Sequence, residues 1–187
     1  KDELDIELSL ARLENVTLAS ASYDFIYCAH TLEHASSASE MLQQMFDALV
    51  PEGLLYLEVP NIEAITLLDT VEEFFIDKHS FHFDRPSLIE FVESLGFEII
   101  SGRDDLDPFN ISLLLRRRSD GGLHIYHSQD EGFAEAHRIL ITNYANILTS
   151  NRARLRQLIE ARIVPFMERQ KVAFWGAGRI FDALVKY

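Results

Sequence analysis

Short apolar runs alternate with polar loops in the first half of the chain, a pattern typical of an α/β domain with parallel strands. Phe25–Ala29 and Leu54–Val59 are apolar runs of strand length. Between them, Glu40–Leu49 carries apolar residues at helical spacing, and Ser36 or Ser39 is its predicted cap. These residues predict one strand–helix–strand unit with polar side chains at both strand ends.

Further along the chain, the pattern predicts two more helices and a closing pair of strands. Ile62–Phe75 has apolar residues on one helical face, and Arg85–Glu93 begins with a proline that the first helical turn tolerates. Gly96 is the predicted left-handed stop of that second helix. Phe97–Ser101 and Asn110–Arg117 then predict two antiparallel strands.

Two regions flank this α/β pattern. Leu4–Leu8 has the composition of a strand. After a polar, glycine-containing boundary at 119–122, Phe133–Leu148 and Arg152–Glu168 predict two helices, with Pro165 interrupting or ending the second. Residues 171–187 predict a strand, a Gly-Ala-Gly turn and a helix start. The predicted organisation is therefore an α/β domain over 1–118, a helical connector over 119–170, and the start of a second α/β unit.

Composition narrows the class of protein. The chain has 187 residues, 48% of them hydrophobic, enough for one core and part of a second. Its formal charge of −13 argues against a nucleic-acid partner, and no apolar run approaches the roughly 20 residues of a membrane helix. Cys28 is the single cysteine, which excludes an internal disulfide and fits a reducing cytoplasm. The sequence leaves the oligomeric state open.

Polar side chains follow both strands of the first unit. His30, Glu33 and His34 come directly after the first strand, and Asn61 follows the second. Open α/β sheets place their ligands at the carboxyl ends of strands, so these residues are expected to face one crevice. A neutral His34 imidazole can take a proton near neutral pH, whereas Glu33 is expected to point away from the crevice or to fix the helix.

His79 and His82 form a second candidate cluster. They lie three residues apart and, with Asp77 or Asp84, have the residue types of a metal site. No third ligand stands out, so no metal is predicted. Catalysis or substrate binding by His79 is the preferred hypothesis.

The motifs of this region occur together in one known family. The chain carries Asp24-Phe25-Ile26, then Leu32-Glu33-His34, then Leu49-Val50-Pro51-Glu52-Gly53-Leu54, and later His79-Ser80-Phe81-His82-Phe83. In this order and spacing they resemble the second half of class I S-adenosylmethionine-dependent methyltransferases. The resemblance implies a Rossmann-like sheet and S-adenosylmethionine as the cofactor.

The resemblance also implies roles for individual residues. His34 or His79 is the expected base if the acceptor is a hydroxyl or a carbon acid. Asn61 and His82 are expected on the substrate side. The residues expected to contact the cofactor are Asp5, Ile6, Ala29, His30 and Leu32.

A narrower resemblance concerns Phe75–Phe83, which is similar to a loop of deoxysugar C-methyltransferases. His79 falls on the histidine of that loop, but Lys78 stands where the relatives have a glutamate and Ile76 where they have a tyrosine. In the same relatives a second Rossmann-like domain follows, and Gly176-Ala177-Gly178 resembles its opening turn. The acceptor is therefore expected to be a small molecule, with a sugar or nucleotide-linked sugar as the first candidate.

The chain matches only the later motifs of the family's sequence pattern. The family's glycine-rich first strand-turn should precede Lys1, so the sheet is expected to be incomplete at its N-terminal side and the chain to be part of a longer protein. Two other functions stay open: a non-catalytic binding protein that keeps the fold, and a nucleotide-sugar enzyme that uses the glycine turn at Gly176.

Overall fold

The structure is a computed structural model, and it describes residues 11, 16–66, 74–75, 78–103, 107–119 and 131–173. The chain divides into two compact units. The first contains residues 1–62 and 78–127, and the second contains residues 63–77 and 128–187. The predicted strand at Leu4–Leu8 and the predicted glycine turn at 176–178 lie outside the described residues.

Among the described residues of the first unit, a four-stranded mixed sheet forms the centre. Its strands are β1 (Tyr23–Ala29), β2 (Leu49–Pro60), β3 (Phe97–Arg103) and β4 (Asn110–Arg117), in the spatial order β1-β2-β4-β3. β1 and β2 are parallel, whereas β4 runs antiparallel to both β2 and β3. The predicted α/β class and the closing antiparallel pair are confirmed.

The helix between the two parallel strands, α1 (Ala38–Ala48), differs from the prediction in its cap. The Ser37 side chain accepts a hydrogen bond from the Glu40 amide at 3.3 Å, so the cap is neither Ser36 nor Ser39. The extended backbone of Ser37 provides the cap geometry, and a serine-rich segment alone does not reveal which serine adopts it.

The second helix, α2 (Arg85–Ser94), follows the prediction closely. The Asp84 carboxylate accepts a hydrogen bond from the Ser87 amide at 2.8 Å, and proline occupies the first turn. Gly96 follows the helix with φ +94°, the left-handed conformation that glycine adopts most easily.

Both helices contribute to a single hydrophobic core on one face of the sheet. Burial alternates along β2 and β4, so every second residue faces the core. Phe97 is fully buried and contacts Phe46 of α1 edge to face, with ring centroids 5.1 Å apart. The strand residues of this core are Cys28, Leu49, Leu55, Leu57, Val59, Phe97, Ile111, Leu113 and Leu115.

The predicted helix over Ile62–Phe75 is wrong at its two ends, which are the parts of this range that the structure describes. Ile62–Thr66 forms a 3-10 helix, and Phe74 and Phe75 form a bend. The Ile62 amide donates to the Phe83 carbonyl at 2.9 Å. This tertiary hydrogen bond fixes the segment's first residue, which helical periodicity cannot reveal.

Among the residues of the second unit that the structure describes, the main element is one long helix, α3 (Glu131–Leu158). A π-helical turn over Ile159–Ile163 and the short α4 (Val164–Met167) follow. The break predicted between the two helices, near residue 150, is wrong, because α3 continues through it. Asn151 is buried within this helix, and tertiary packing overrides the weak helix propensity of such polar residues. The predicted interruption by Pro165 is confirmed, since α4 begins next to it. Among the described helices, none is long and apolar enough to cross a membrane.

Candidate active site

The carboxyl end of β1 has a strained backbone. His30, directly after the strand, has φ +48°, and its amide donates to the Glu58 carbonyl of β2 at 3.0 Å. A residue with a Cβ rarely adopts this left-handed conformation, and such strain is common at functional sites. The turn directs the chain away from the sheet and leaves the His30 side chain exposed.

A 3-10 helix over Leu32–His34 follows this turn. His30 and Glu33 are three residues apart across this turn, and the imidazole of His30 lies beside the carboxylate of Glu33. The distance from His30 Nδ1 to Glu33 Oε1 is 3.7 Å, and the Glu33 side chain is only 2% exposed. The sequence predicted that Glu33 points away from the crevice or fixes the helix, whereas its carboxylate is buried between His30 and His34.

His34 is held by a residue far away in sequence. Its Nδ1 lies 2.8 Å from the carbonyl oxygen of Lys78. A carbonyl only accepts, so Nδ1 carries the proton in the neutral imidazole, and Nε2 is left with an available lone pair. Nε2 lies 3.7 Å from Glu33 Oε1.

The loop that follows Lys78 is fastened to the same 3-10 helix. The amides of Ser80 and Phe81 both donate to the Glu33 carbonyl, at 2.8 and 3.2 Å. As a result the ring of His79 meets the ring of His34 edge to face, with centroids 4.7 Å apart. The two histidines predicted to be catalytic lie together, although 44 residues separate them in the chain.

Glu58 of β2 contributes a second carboxylate, which the sequence analysis missed. Its Oε2 accepts hydrogen bonds from the hydroxyls of Tyr56 at 2.6 Å and Ser112 at 2.9 Å. Its Oε1 lies 3.4 Å from His30 Nε2. The parallel pairing of Ala29 with Glu58 explains this proximity. A correct prediction of the β1–β2 register would have placed Glu58 in the site.

The thiol of Cys28 and the imidazole of His82 have shifted pKa values. Burial raises the pKa of the Cys28 thiol to about 11, and the nearby Glu33 carboxylate adds to this rise. Burial also lowers the pKa of the His82 imidazole below its ordinary value. Both groups are therefore neutral at physiological pH.

The other predicted site residues lie in different surroundings. Asn61 donates its side-chain amide to the Pro108 carbonyl at 3.2 Å, which links it to the turn before β4. His82 is partly buried, with its ring centroid 6.2 Å from that of His79. The side chain of Leu32 is fully buried in the core, so only its backbone is available to a cofactor. Asp5 and Ile6 lie outside the described residues.

Comparison with known proteins identifies the family. The sequence model of a family described as a methyltransferase domain matches residues 5–102, more than half of the chain. The chain belongs to this methyltransferase domain family. S-adenosylmethionine is accordingly the cofactor of the domain. A search among curated proteins finds no match.

The chain is similar to several solved structures at low sequence identity. A Haloferax volcanii protein solved in complex with the Trm112 methyltransferase activator has a TM-score of 0.51 and 11% identity, over 63% of this chain and 64% of its own. An S-adenosylmethionine-dependent methyltransferase from Mesorhizobium loti has a TM-score of 0.49 and 14% identity, over 63% of this chain and 72% of its own. A methyltransferase from Methanosarcina mazei has a TM-score of 0.45 and 14% identity, over 59% of this chain and 66% of its own.

The carboxyl end of β1 fits contact with the cofactor. Ala29 is half-buried, and His30 and Thr31 are exposed beyond it. The Thr31 hydroxyl donates to the Ala29 carbonyl at 2.9 Å, which stabilises the open turn. A ligand at this strand end can therefore reach the backbone of Ala29 and His30, as open α/β sheets allow.

Proposed function

We propose that this protein transfers a methyl group from S-adenosylmethionine to a small-molecule acceptor, with a sugar or nucleotide-linked sugar as the first candidate. The observation that carries this proposal is the fixed His34 imidazole. Its Nδ1–H is engaged by the Lys78 carbonyl, so its Nε2 lone pair is directed into the site beside His79 and Glu33.

The reaction needs little from the protein beyond alignment and one basic group. The S–CH3 bond of the sulfonium breaks with its electron pair on sulfur, which gives S-adenosylhomocysteine, while the acceptor oxygen or carbon atom forms the new bond to the methyl carbon. The acceptor gives up its O–H or C–H proton so that this bond can form. The available lone pair in the site is that of His34 Nε2, and His79 packs against the same ring.

The finer assignment to a sugar acceptor rests on the resemblance of the His79 loop to deoxysugar C-methyltransferases. Lys78 stands in place of their glutamate, but its backbone carbonyl orients His34. The carboxylate beside the histidines comes instead from Glu33, on a different element. Glu33 thus supplies a carboxylate that the loop sequence lacks.

Calorimetry of the full-length protein tests the proposal. We expect S-adenosylmethionine and S-adenosylhomocysteine to bind, and mass spectrometry to detect methylated product when candidate nucleotide sugars are added. Absence of binding by both ligands would contradict methyl transfer and favour a binding protein that keeps the fold. Binding without product from any sugar would contradict only the sugar assignment.

A further inference from the structure

Glu33 is a buried carboxylate whose oxygens have no ordinary hydrogen-bond partner among the described residues. Oε2 is fully buried with no partner. Oε1 lies 3.7 Å from both His30 Nδ1 and His34 Nε2, beyond the roughly 3.2 Å limit of a normal hydrogen bond. Burying a carboxylate without a partner costs several kcal/mol, so its charge requires compensation.

His34 does not supply that compensation in its neutral form. Its single proton is on Nδ1, which donates to Lys78, so Nε2 presents a lone pair towards Glu33 Oε1. Two electron-rich atoms then face each other at 3.7 Å. A proton shared between them would draw them to about 2.7–3.2 Å. A metal ion with bonds of about 2.1 Å in tetrahedral geometry separates its ligand atoms by about 3.4 Å.

A third donor lies beside this pair. One ligand atom each from Glu33, His34 and His79 lie within 4.8 Å of one another. The backbone hydrogen bonds from Ser80 and Phe81 to Glu33 hold the loop with His79 against the 3-10 helix. A contraction of about 1.4 Å at the widest pair brings all three donors to coordination distance.

We propose that Glu33, His34 and His79 bind a divalent first-row transition-metal ion. Two imidazoles and one carboxylate favour Zn²⁺ or a similar ion over Mg²⁺ or Ca²⁺, which prefer oxygen ligands. The Lys78 carbonyl fixes the ring of His34 from behind, as backbone carbonyls do for metal-ligating histidines. Three protein ligands leave at least one coordination position open.

The earlier pairing of His79 and His82 with an acidic neighbour is not the site. The Asp84 carboxylate accepts hydrogen bonds from the amide and the hydroxyl of Ser87 at the start of α2. Asp77 lies outside the described residues. The carboxylate that completes the cluster is Glu33, 46 residues before His79 in the chain and next to it in the fold.

The ion would also make the acceptor easier to deprotonate, and only this role of the ion rests on the proposed function. An acceptor hydroxyl in the open position loses its proton to water more easily, because the bound cation stabilises the alkoxide. His34 Nε2 is then a ligand of the ion instead of the proton acceptor.

Zinc titration tests the site. The full-length protein is purified, its affinity tag removed and its metal extracted with a chelator, and ZnCl2 is then added in a calorimeter. We expect one Zn²⁺ to bind the wild type and two controls, Glu90→Gln on the exposed face of α2 and His137→Ala on α3. We expect the affinity to fall at least about 100-fold in Glu33→Gln and His34→Ala, because a direct ligand is lost.

Thermal unfolding of the same proteins separates a lost ligand from a lost fold. Without metal, Glu33→Gln should unfold at the temperature of the wild type or above it, since a buried charge is removed. Zinc should raise the melting temperature of the wild type and leave that of Glu33→Gln unchanged. Absence of zinc binding in the wild type, or wild-type affinity in Glu33→Gln, overturns the site.

The two proposals fail in distinguishable ways. S-adenosylmethionine binding and methyl transfer by protein that binds no Zn²⁺ would overturn the metal site and leave His34 as the base. Zinc binding by protein that binds neither S-adenosylmethionine nor S-adenosylhomocysteine would overturn methyl transfer and leave the metal site standing.

Discussion

The imidazole Nδ1 of His34 lies 2.8 Å from the backbone carbonyl oxygen of Lys78. This hydrogen bond links the 3-10 helix after β1 to a loop 44 residues further along the chain. It determines which nitrogen of His34 is protonated and, with the amides that bind the Glu33 carbonyl, it brings His79 to the same place.

The first prediction concerns the tautomer of His34. In metal-free protein with a neutral His34 ring, nitrogen NMR should show Nδ1 protonated and Nε2 unprotonated. Lys78→Ala should leave this tautomer unchanged, because the acceptor is the backbone carbonyl and not the side chain. A protonated Nε2 in the wild type would contradict the geometry.

The second prediction concerns turnover. His34→Ala should lower the rate of methyl transfer by about 100-fold or more, the usual effect of losing a group that assists proton removal. The affinity for S-adenosylmethionine should change little, because His34 is proposed to act on the acceptor and not on the cofactor. His137→Ala serves as the matched control and should keep the wild-type rate. Comparison of kcat with the calorimetric affinity checks this, and an unchanged kcat in His34→Ala would remove His34 from the reaction.

The third prediction concerns the core of the sheet. Leu57 of β2 is fully buried, so Leu57→Ala should lower the free energy of unfolding by about 2–5 kcal/mol through lost burial and a residual cavity. Ile100 of β3 is 42% exposed, and Ile100→Ala should cost far less. Urea denaturation followed by circular dichroism measures both. Equal losses in the two variants would contradict the described packing.

The fourth prediction concerns the reactivity of Cys28. Burial raises the pKa of its thiol from 9.0 to about 11, so at pH 7 the thiolate fraction is about 100-fold lower than in the unfolded chain. Iodoacetamide should therefore alkylate the native protein at least about 100-fold more slowly than the protein in urea, with steric protection adding to the difference. Mass spectrometry over a time course measures both rates. Equally fast labelling in the two states would show that Cys28 is not buried.

Local sequence patterns were sufficient for much of the fold. The apolar runs located β1 and β2, and Pro86 and Gly96 located the two ends of α2, because a proline and a left-handed glycine act through the backbone alone. The same patterns failed at residues 62–75 and near residue 150 of α3, where hydrogen bonds and burial from distant segments override local propensity.

The site divides in the same way. The sequence by itself determined the α/β class, the methyltransferase resemblance, and the candidates His34 and His79, because residue type and position after a strand are local properties. Only the tertiary structure decided that Glu33 is buried between His30 and His34, and that the Lys78 carbonyl fixes the ring of His34. Strand register and loop docking set these distances, and a distance between residues far apart in the chain has no local signature in the sequence.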